Sequence, residues 1–140
     1  MFTDQFKDLQ DDSFFVISED IHPCKIPINR VDFSQLITNL CRNAKESIVH
    51  DQPKIMIIVR DAFPYLEISI IDNGRGIDPS LGDKIFEPYF STKENPDQYN
   101  QGLGLAMVRD IIVAYGGEIS YNSRPGRTEF ILKLPCDTQG

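Results

Sequence analysis

The run Asp72-Asn73-Gly74-Arg75-Gly76-Ile77 places a carboxylate and two glycines at the end of a predicted strand. Residues 66–71 before it alternate apolar and polar positions and are rich in β-branched side chains, a pattern typical of strands. Downstream, Gly102-Leu103-Gly104-Leu105-Ala106 opens a predicted amphipathic helix, and helix N-termini attract phosphate. A carboxylate for a base edge and a helix N-terminus for phosphates together indicate a nucleotide pocket. The P-loop pattern Gly-x-x-x-x-Gly-Lys-Ser/Thr does not occur in the sequence, so this pocket is of another kind.

Length and charge are those of a single acidic domain. The chain has 140 residues and a net charge of −7, which argues against nucleic acid or an anionic membrane surface as a main partner. Cys24, Cys41 and Cys136 are odd in number and form no Cys-x-x-Cys pair, which indicates reduced thiols and no metal centre built on them. Because no apolar run approaches the ~18 residues of a membrane span and no signal peptide opens the sequence, we expect a cytoplasmic chain without direct membrane contact.

The predicted elements follow the order strands, helix, hairpin, loop, helix, hairpin. The predicted strands are residues 14–17, 25–28, 55–59, 66–72, 118–121 and 129–134, with turns at 61–64 and at Pro125-Gly126. A long helix is expected to be capped by Asp32 or Ser34 and to run to about His50, and a second one to cover 103–115 and end at Gly116-Gly117. This order predicts an α+β fold, a two-layer sandwich whose mixed, mostly antiparallel sheet carries helices on one face.

Two asparagines lie on one face of the first long helix. Asn39 and Asn43 are four residues apart, and Glu46 follows three residues later. Asparagine is a mediocre helix former, and its amide oxygen is a hard, neutral ligand for Mg²⁺. Two solvated asparagines would be the simpler interpretation of this pair alone. Together with the glycine motifs we interpret the face as binding metal and phosphate, with Asn43 as the metal ligand.

Asp72 has both a structural and a functional interpretation. Asp-Asn-Gly is good turn chemistry. As a ligand, the carboxylate would accept a hydrogen bond from the exocyclic amine of adenine and repel guanine, while Gly74 and Gly76 would let the backbone follow the base. The segment from Asp78 to Gln101 has several prolines and no periodicity, which is typical of a functional lid.

Aromatic and polar side chains inside this predicted lid extend the site. Phe86 and Phe90 flank an aromatic cluster, and we expect at least one of them to pack in the core. Lys93 in a lid over phosphates would meet the γ-phosphate, and Gln101 could donate to the same group.

These segments resemble the catalytic, ATP-binding domain of bacterial sensor histidine kinases, within the wider Bergerat-fold ATPases. Asn39–Ala44 resembles the asparagine box, Asp72–Gly76 the first glycine box and Ile85–Lys93 the phenylalanine box. The second glycine box is similar to Gly102–Leu105, and a last glycine-threonine element to Gly126–Thr128. Motifs that occur together in this order are far more specific than any one of them.

The resemblance implies about five mixed strands over three helices, with Mg²⁺ on Asn43 and adenine on Asp72. It implies that Asn39 and Lys93, with the backbone from Gly102 to Leu105, face the phosphates, where the position of Gln101 adds a third catalytic candidate. The implied nucleotide-binding residues are Asn39, Asn43, Asp72, Gly74, Gly76, Ile77, Phe90, Lys93, Gly102, Leu103, Gly104, Leu105 and Thr128. Thr128 would support Asp72 or a water beside the base. The implied domains are a linker or the end of a preceding helical domain at 1–12, the catalytic domain at 13–136 and a tail at 137–140.

The resemblance also implies the reaction and the partners. Asn39 stands where hydrolysing relatives carry a glutamate, and asparagine cannot act as a general base, so the site is expected to hold ATP without hydrolysing it. His22 and His50 do not match the family's acceptor histidine. We therefore expect the γ-phosphate to pass to a histidine on a separate dimerisation domain of the same protein, with a response regulator or receiver downstream, and the isolated domain to be a monomer. The full protein would then be a cytoplasmic or a membrane-anchored sensor kinase. A serine kinase of the anti-sigma-factor type and a non-catalytic nucleotide sensor are the alternatives.

Overall fold

The computed structural model describes the backbone of residues 14–18 and all atoms of residues 28–87 and 104–136. Five strands form one sheet in the order β1-β2-β3-β5-β4. They are β1 (Phe14–Ser18), β2 (Ile55–Ala62), β3 (Tyr65–Asp72), β4 (Glu118–Arg124) and β5 (Arg127–Pro135). The helices are α1 (Arg30–Ser47), α2 (Gly104–Ala114) and a 3₁₀ helix at Pro79–Phe86. The predicted strand at 25–28 falls mainly on residues outside this description.

The sheet is mixed and mostly antiparallel, as predicted. β1 runs parallel to β2, whereas the pairs β2–β3, β3–β5 and β4–β5 are antiparallel. Both predicted hairpins are present, and the second one turns at Pro125-Gly126, where Gly126 has a φ of 87°. A positive φ after proline is what a type II turn requires.

The described helices pack on one face of the sheet. Strand side chains that point to this face are buried at every second position, as in Ile55, Ile57 and Val59 of β2. They form one core with the apolar faces of the helices, which include Leu36 and Ile112. The fold is therefore the two-layer α+β sandwich that the sequence predicts.

The predicted end of the second helix is confirmed in detail. The amide of Gly117 donates to Ile112 O at 2.9 Å and that of Gly116 to Val113 O at 3.0 Å, and Gly116 has a φ of 78°. This pair of bonds is the Schellman motif. A Cβ on Gly117 would lie 2.3 Å from Lys133 O, so the second glycine is needed where α2 meets β5.

The predicted cap of α1 is wrong. The N-cap is Asn29, whose Oδ1 accepts from the amide of Asp32 at 2.8 Å, and the helix ends at Ser47, short of His50. Asp32 lies in the first turn and accepts from the hydroxyl of Tyr115 at 2.6 Å, while Asn29 Nδ2 donates to the same tyrosine oxygen at 3.1 Å. The cap is thus fixed by a contact from the end of α2, which sequence neighbours do not reveal.

We expect Asn29→Ala to lower the free energy of unfolding by about 1 kcal/mol, because the cap and its bond to Tyr115 are lost together. Urea unfolding followed by circular dichroism measures this change. Ser34→Ala is the matched control, since Ser34 is exposed inside the helix and alanine is a good helix former. A larger loss in the Ser34 variant than in the Asn29 variant would contradict the assigned cap.

Candidate functional site

The most unusual side chain in the sheet is a buried carboxylate. Asp72 is the last residue of β3 and is only 3% exposed. Its neighbours on the same face of the strand, Ile68 and Ile70, are apolar and also buried. Its cross-strand partner on β5 is Thr128, which is 2% exposed. Burying a charge costs stability unless it is well hydrogen-bonded, so this position needs a functional or structural reason.

Both hydrogen bonds that the structure shows for this carboxylate end on one oxygen. The amide of Gly74 donates to Asp72 Oδ1 at 2.8 Å, and the hydroxyl of Ser47 lies 3.1 Å from the same oxygen. Ser47 Oγ also lies 2.9 Å from Ala44 O, so its single proton is shared between two acceptors. Among the described residues, Oδ2 of Asp72 receives no hydrogen bond, and it is the oxygen that a ligand can use.

Burial raises the pKa of Asp72 above its ordinary value, although the bonds from Gly74 and Ser47 act in the opposite direction. Desolvation is the larger effect because water cannot reach the charged form. The folded protein therefore holds a proton on Asp72 more tightly than the unfolded chain does. Ionised Asp72 reduces the stability of the empty domain at neutral pH.

The glycines after Asp72 are required by packing, and their expected role in letting the backbone follow the base stays a prediction. A Cβ on Gly74 would lie 2.1 Å from Ser47 Oγ and 2.7 Å from Ser47 O, and a Cβ on Gly76 would lie 2.7 Å from Arg124 O. The φ of Gly76 is also positive, at 86°. We call residues 72–77 the glycine loop. Its glycines allow the loop to pack between the end of α1 and the β4–β5 turn.

Thr128 belongs to a second hydrogen-bonded group beside the glycine loop. Thr128 Oγ1 lies 2.7 Å from Ser123 Oγ, and the amide of Ile77 donates to that serine oxygen at 2.8 Å. The structure therefore shows Thr128 linked through Ser123 to the glycine loop, while support of Asp72 or a water by Thr128 stays a prediction.

Sequence reasoning missed Ser47 and Ser123, although each carries a signal. Ser47 continues the spacing of Asn39 and Asn43 by another four residues, which places all three on one helix face. Ser123 is the register partner of Thr128 across the β4–β5 hairpin. Both were hidden because serine is common and rarely marks a site by itself.

The structure brings the asparagine face of α1 to the start of α2. A small cavity of about 20 Å³ is lined by Asn39, Arg42, Asn43 and Glu46 of α1 and by Gly104 and Leu105 of α2. Asn39 Nδ2 also lies 3.7 Å from the sulfur of Met107. Helix α2 begins at Gly104, so the backbone amides of its first turn are near these side chains. Amide and carboxylate groups beside a helix N-terminus are of the types that bind a phosphate group or a hard cation.

Several predicted site residues lie outside the described residues. They are Phe90, Lys93, Gln101, Gly102 and Leu103. Of the predicted aromatic cluster, Phe86 is described and is a core residue, as its simpler interpretation predicts. Its ring contacts Tyr121 and Phe130 edge-on at centroid distances of 6.1 and 6.5 Å, and Arg109 lies over it at 5.6 Å.

His50 has a structural role. Its Nε2 lies 2.8 Å from Asn73 O, and its Nδ1 accepts from the amide of Gln52 at 3.1 Å. The side chain of Asn73 binds the same α1–β2 loop through Gln52 O and the amide of Lys54, each at 2.9 Å. Both ring nitrogens are thus engaged in holding the loop beside Asp72, and the expectation that His50 is not a phosphate acceptor stays a prediction.

Two further predictions concern thiols and membranes. Cys41 is a buried free thiol whose pKa burial raises to about 12, so it acts as a small apolar side chain of the core. Neither α1 nor α2 has the apolar length that a membrane-crossing helix needs, and the same holds for the rest of the described chain.

Comparison with known proteins places this chain in a family. The family model described as histidine kinase-, DNA gyrase B- and HSP90-like ATPases matches residues 28–138. The probable sensor histidine kinase TcrY of Mycobacterium tuberculosis is 35% identical over 119 residues, which cover 82% of this chain and 24% of TcrY. The sensory histidine kinase/phosphatase NtrB of Proteus hauseri is 33% identical over 111 residues, covering 72% of this chain and 31% of NtrB. The chain thus spans about a quarter to a third of these relatives.

Solved structures give the same assignment. The nucleotide-free catalytic domain of histidine kinase ThkA superimposes with a TM-score of 0.73 at 29% identity, covering 96% of this chain and 84% of that domain. ThkA in complex with the response regulator protein TrrA gives a TM-score of 0.72 at 27% identity, covering 97% of this chain and 37% of that chain. The resemblance seen in the sequence motifs is therefore confirmed. The chain belongs to the family of histidine kinase-, DNA gyrase B- and HSP90-like ATPases, and it is an ATP-binding catalytic domain of the sensor histidine kinase type.

Proposed function

We propose that this domain binds Mg²⁺-ATP between α1 and the start of α2 and donates the γ-phosphate to a histidine on a separate domain. The observation that carries the proposal is the buried carboxylate of Asp72, which is held through one oxygen and leaves the other available. The family assignment supplies ATP as the nucleotide. The metal, the residue roles and the acceptor are our proposals.

The base half of the proposed site is built on Asp72 Oδ2. This oxygen accepts a hydrogen bond from the exocyclic amine of adenine, while Gly74 and Ser47 keep Oδ1 in place. Ser47 is thus a positioning residue, because its hydroxyl reaches the nucleotide only through Asp72. Ile77 and Thr128, which Ser123 joins, border the same region from the side of β4 and β5.

The phosphate half of the proposed site is the face formed by Asn39, Asn43 and Glu46 opposite Gly104 and Leu105. The donor set fits a magnesium ion, which favours few protein oxygens together with phosphates and water. Asn43 would hold the ion, which supplies charge neutralisation for the phosphates when it is bound. Lys93, Gln101, Gly102 and Leu103 stay sequence-based candidates for the same half, and Phe90 for the nucleotide pocket.

The proposed reaction is direct transfer. An imidazole nitrogen of the acceptor attacks the γ-phosphorus, a nitrogen–phosphorus bond forms, and the bond to the bridging oxygen breaks to release ADP. Asn39 binds and orients phosphate and cannot take a proton from water, so it favours transfer over hydrolysis. The acceptor domain and a response regulator are the proposed partners. The proposed response-regulator partner is supported by ThkA, a histidine kinase of similar fold whose structure is in complex with the response regulator protein TrrA.

We expect this domain to phosphorylate a separately supplied histidine acceptor domain and to hydrolyse ATP far more slowly than the median enzyme rate of ~10 s⁻¹. The reason is that the described site offers asparagine where water activation needs a base. Labelled ATP and acid treatment of the product measure both outcomes, because a phosphohistidine is labile in acid and a phosphoserine is stable. An acid-stable product would contradict histidine transfer, and steady rapid hydrolysis would contradict the proposed role of Asn39.

Asp72→Asn is expected to weaken ATP binding by roughly one to two orders of magnitude, since a charge-assisted hydrogen bond contributes about 1.5–3 kcal/mol. Calorimetric titration measures this loss. The same variant should unfold at an equal or higher denaturant concentration than the parent at neutral pH. The sign follows from the raised pKa, because ionisation of Asp72 above its ordinary value of 3.8 destabilises the fold and the amide avoids it.

Asp61→Asn is the matched control for this experiment. Asp61 lies at the other end of the same hairpin and accepts from the amide of Phe63 at 3.0 Å, so the variant makes an equal charge change away from the site. It should bind ATP as the parent does. Parental ATP binding by Asp72→Asn itself would show that Asp72 is only a turn residue.

Asn43→Ala is expected to lower ATP affinity about tenfold with Mg²⁺ present and to leave it unchanged with excess EDTA, since only the proposed metal ligand is removed. Titration of each variant with ATP under both conditions measures the difference. Asn122→Ala on exposed β4 is the control for loss of an asparagine. An equal loss with and without metal would assign Asn43 to direct phosphate binding instead.

A further inference from the structure

A second cavity lies on the sheet face that the helices do not cover. It has a volume of about 350 Å³, and its wall includes the side chains of Met56 on β2 and Ile71 on β3. Met56 pairs with Ile71 across the two strands, and both alternate with the buried residues of the helix face. The side chains of Met56 and Ile71 therefore lie on the face away from the helices, and the cavity also reaches Asp72 at the end of β3.

Three basic side chains surround this cavity. They are Lys54, which precedes β2, and Arg124 and Arg127, which flank the β4–β5 turn. Arg127 lies 3.5 Å from Glu129, and no ion pair joins Lys54 or Arg124 to a carboxylate of the described residues. We call these three residues with Met56 and Ile71 the basic pocket. A basic pocket with apolar walls, on a chain of net charge −7, suits an acidic ligand that also carries apolar side chains.

The sequence that precedes β1 has the composition of such a ligand. β1 runs parallel to β2 with Phe14 opposite Ile55, so β1 starts at the level of the residue that follows Lys54. That sequence carries Asp4, Asp8, Asp11 and Asp12 against a single lysine, Lys7. Phe2, Phe6 and Leu9 recur in it at intervals of four and three residues. We call residues 4–12 the acidic segment.

The distances allow the acidic segment to reach all three cations. β5 is three strands away from β1 in the sheet, which is about 14 Å at ~4.8 Å per strand. Nine residues span about 14 Å as a helix and more when extended. The acidic segment is therefore long enough to cross the basic pocket from Lys54 to Arg127.

We propose that the acidic segment binds the basic pocket, with its aspartates on Lys54, Arg124 and Arg127 and its apolar side chains against Met56 and Ile71. The proposal does not require nucleotide binding, although Asp72 of the proposed nucleotide site also lines the cavity. Binding would hold the chain that leads into the domain against the back of the glycine loop, since Asn73 and the β4–β5 turn also line the cavity.

The test is amide hydrogen exchange by mass spectrometry on the full 140-residue chain. One variant replaces Asp4, Asp8, Asp11 and Asp12 with asparagine. Peptides covering residues 54–58 and 124–129 should exchange about three- to fivefold faster in this variant than in the parent, as for the loss of one exposed ion pair. The difference should vanish at 1 M salt, where charges are screened within about 3 Å.

A matched variant removes four exposed carboxylates elsewhere, with Asp83→Asn, Glu87→Gln, Asp110→Asn and Glu118→Gln. This variant has the same net charge as the variant without the four N-terminal aspartates. Its amides at the basic pocket should exchange at the rate of the parent. Arg124→Glu should reproduce the fast exchange at residues 54–58, and adding Asp8→Lys and Asp12→Lys to it should restore protection. The thermal midpoint of each variant separates these effects from global unfolding.

Equal exchange of the parent and the aspartate-free variant at both peptides would overturn the proposal. Protection that depends on protein concentration would also overturn it, because the occupant would then be a second copy of the chain. If Asp8→Lys and Asp12→Lys do not restore protection in the Arg124→Glu variant, although its thermal midpoint is that of the parent, this result would count against direct contact. Loss of ATP binding plays no part in these outcomes, so the proposed function stands or falls separately.

Discussion

The buried carboxylate of Asp72 is the constraint on which the site depends. Asp72 is the last residue of β3, whose other inward side chains are apolar. Its carboxylate accepts hydrogen bonds from the amide of Gly74 and from the hydroxyl of Ser47, the last residue of α1. For both bonds to form, the glycine loop must approach Ser47 so closely that position 74 has no room for a side chain. One desolvated charge therefore fixes the end of β3, the end of α1 and the loop between them.

Helix α1 has an apolar stripe and a polar stripe that both follow the helical repeat. Leu36, Leu40 and Ala44 are buried against the sheet, and the neighbouring stripe carries Asn39, Asn43 and Ser47. Packing the first stripe orients the second, so core burial sets where the polar groups point. The N-cap interaction with Tyr115 links this helix to the end of α2, whose start borders the asparagines. The spacing between the two halves of the proposed site is thus set by helix packing on the sheet.

Much of the order of strands and helices was predictable because it depends on patterns of neighbouring residues. Alternation identified the hairpin that ends at Asp72, and paired glycines identified the end of α2. The cap of α1 was missed because Asn29, Asp32 and Ser34 are all good caps, and Tyr115, which is distant in sequence, decides between them. The glycine contacts were missed for the same reason. A sequence shows that a position lacks a side chain, and only the fold shows which atoms exclude one.

The two oxygens of Asp72 give the proposed base contact its selectivity. Oδ1 is fixed by two donors, so the carboxylate cannot rotate to present a different group to the ligand. Oδ2 can only accept, which suits the amine of adenine and opposes the carbonyl oxygen that guanine presents at that place. When the wrong ligand binds, the buried charged group has no hydrogen-bond partner. This loss reduces the affinity for that ligand far more than the loss of an apolar contact does. The same burial that destabilises the empty domain would therefore enforce the choice of nucleotide, and stability and selectivity at Asp72 oppose each other for one physical reason.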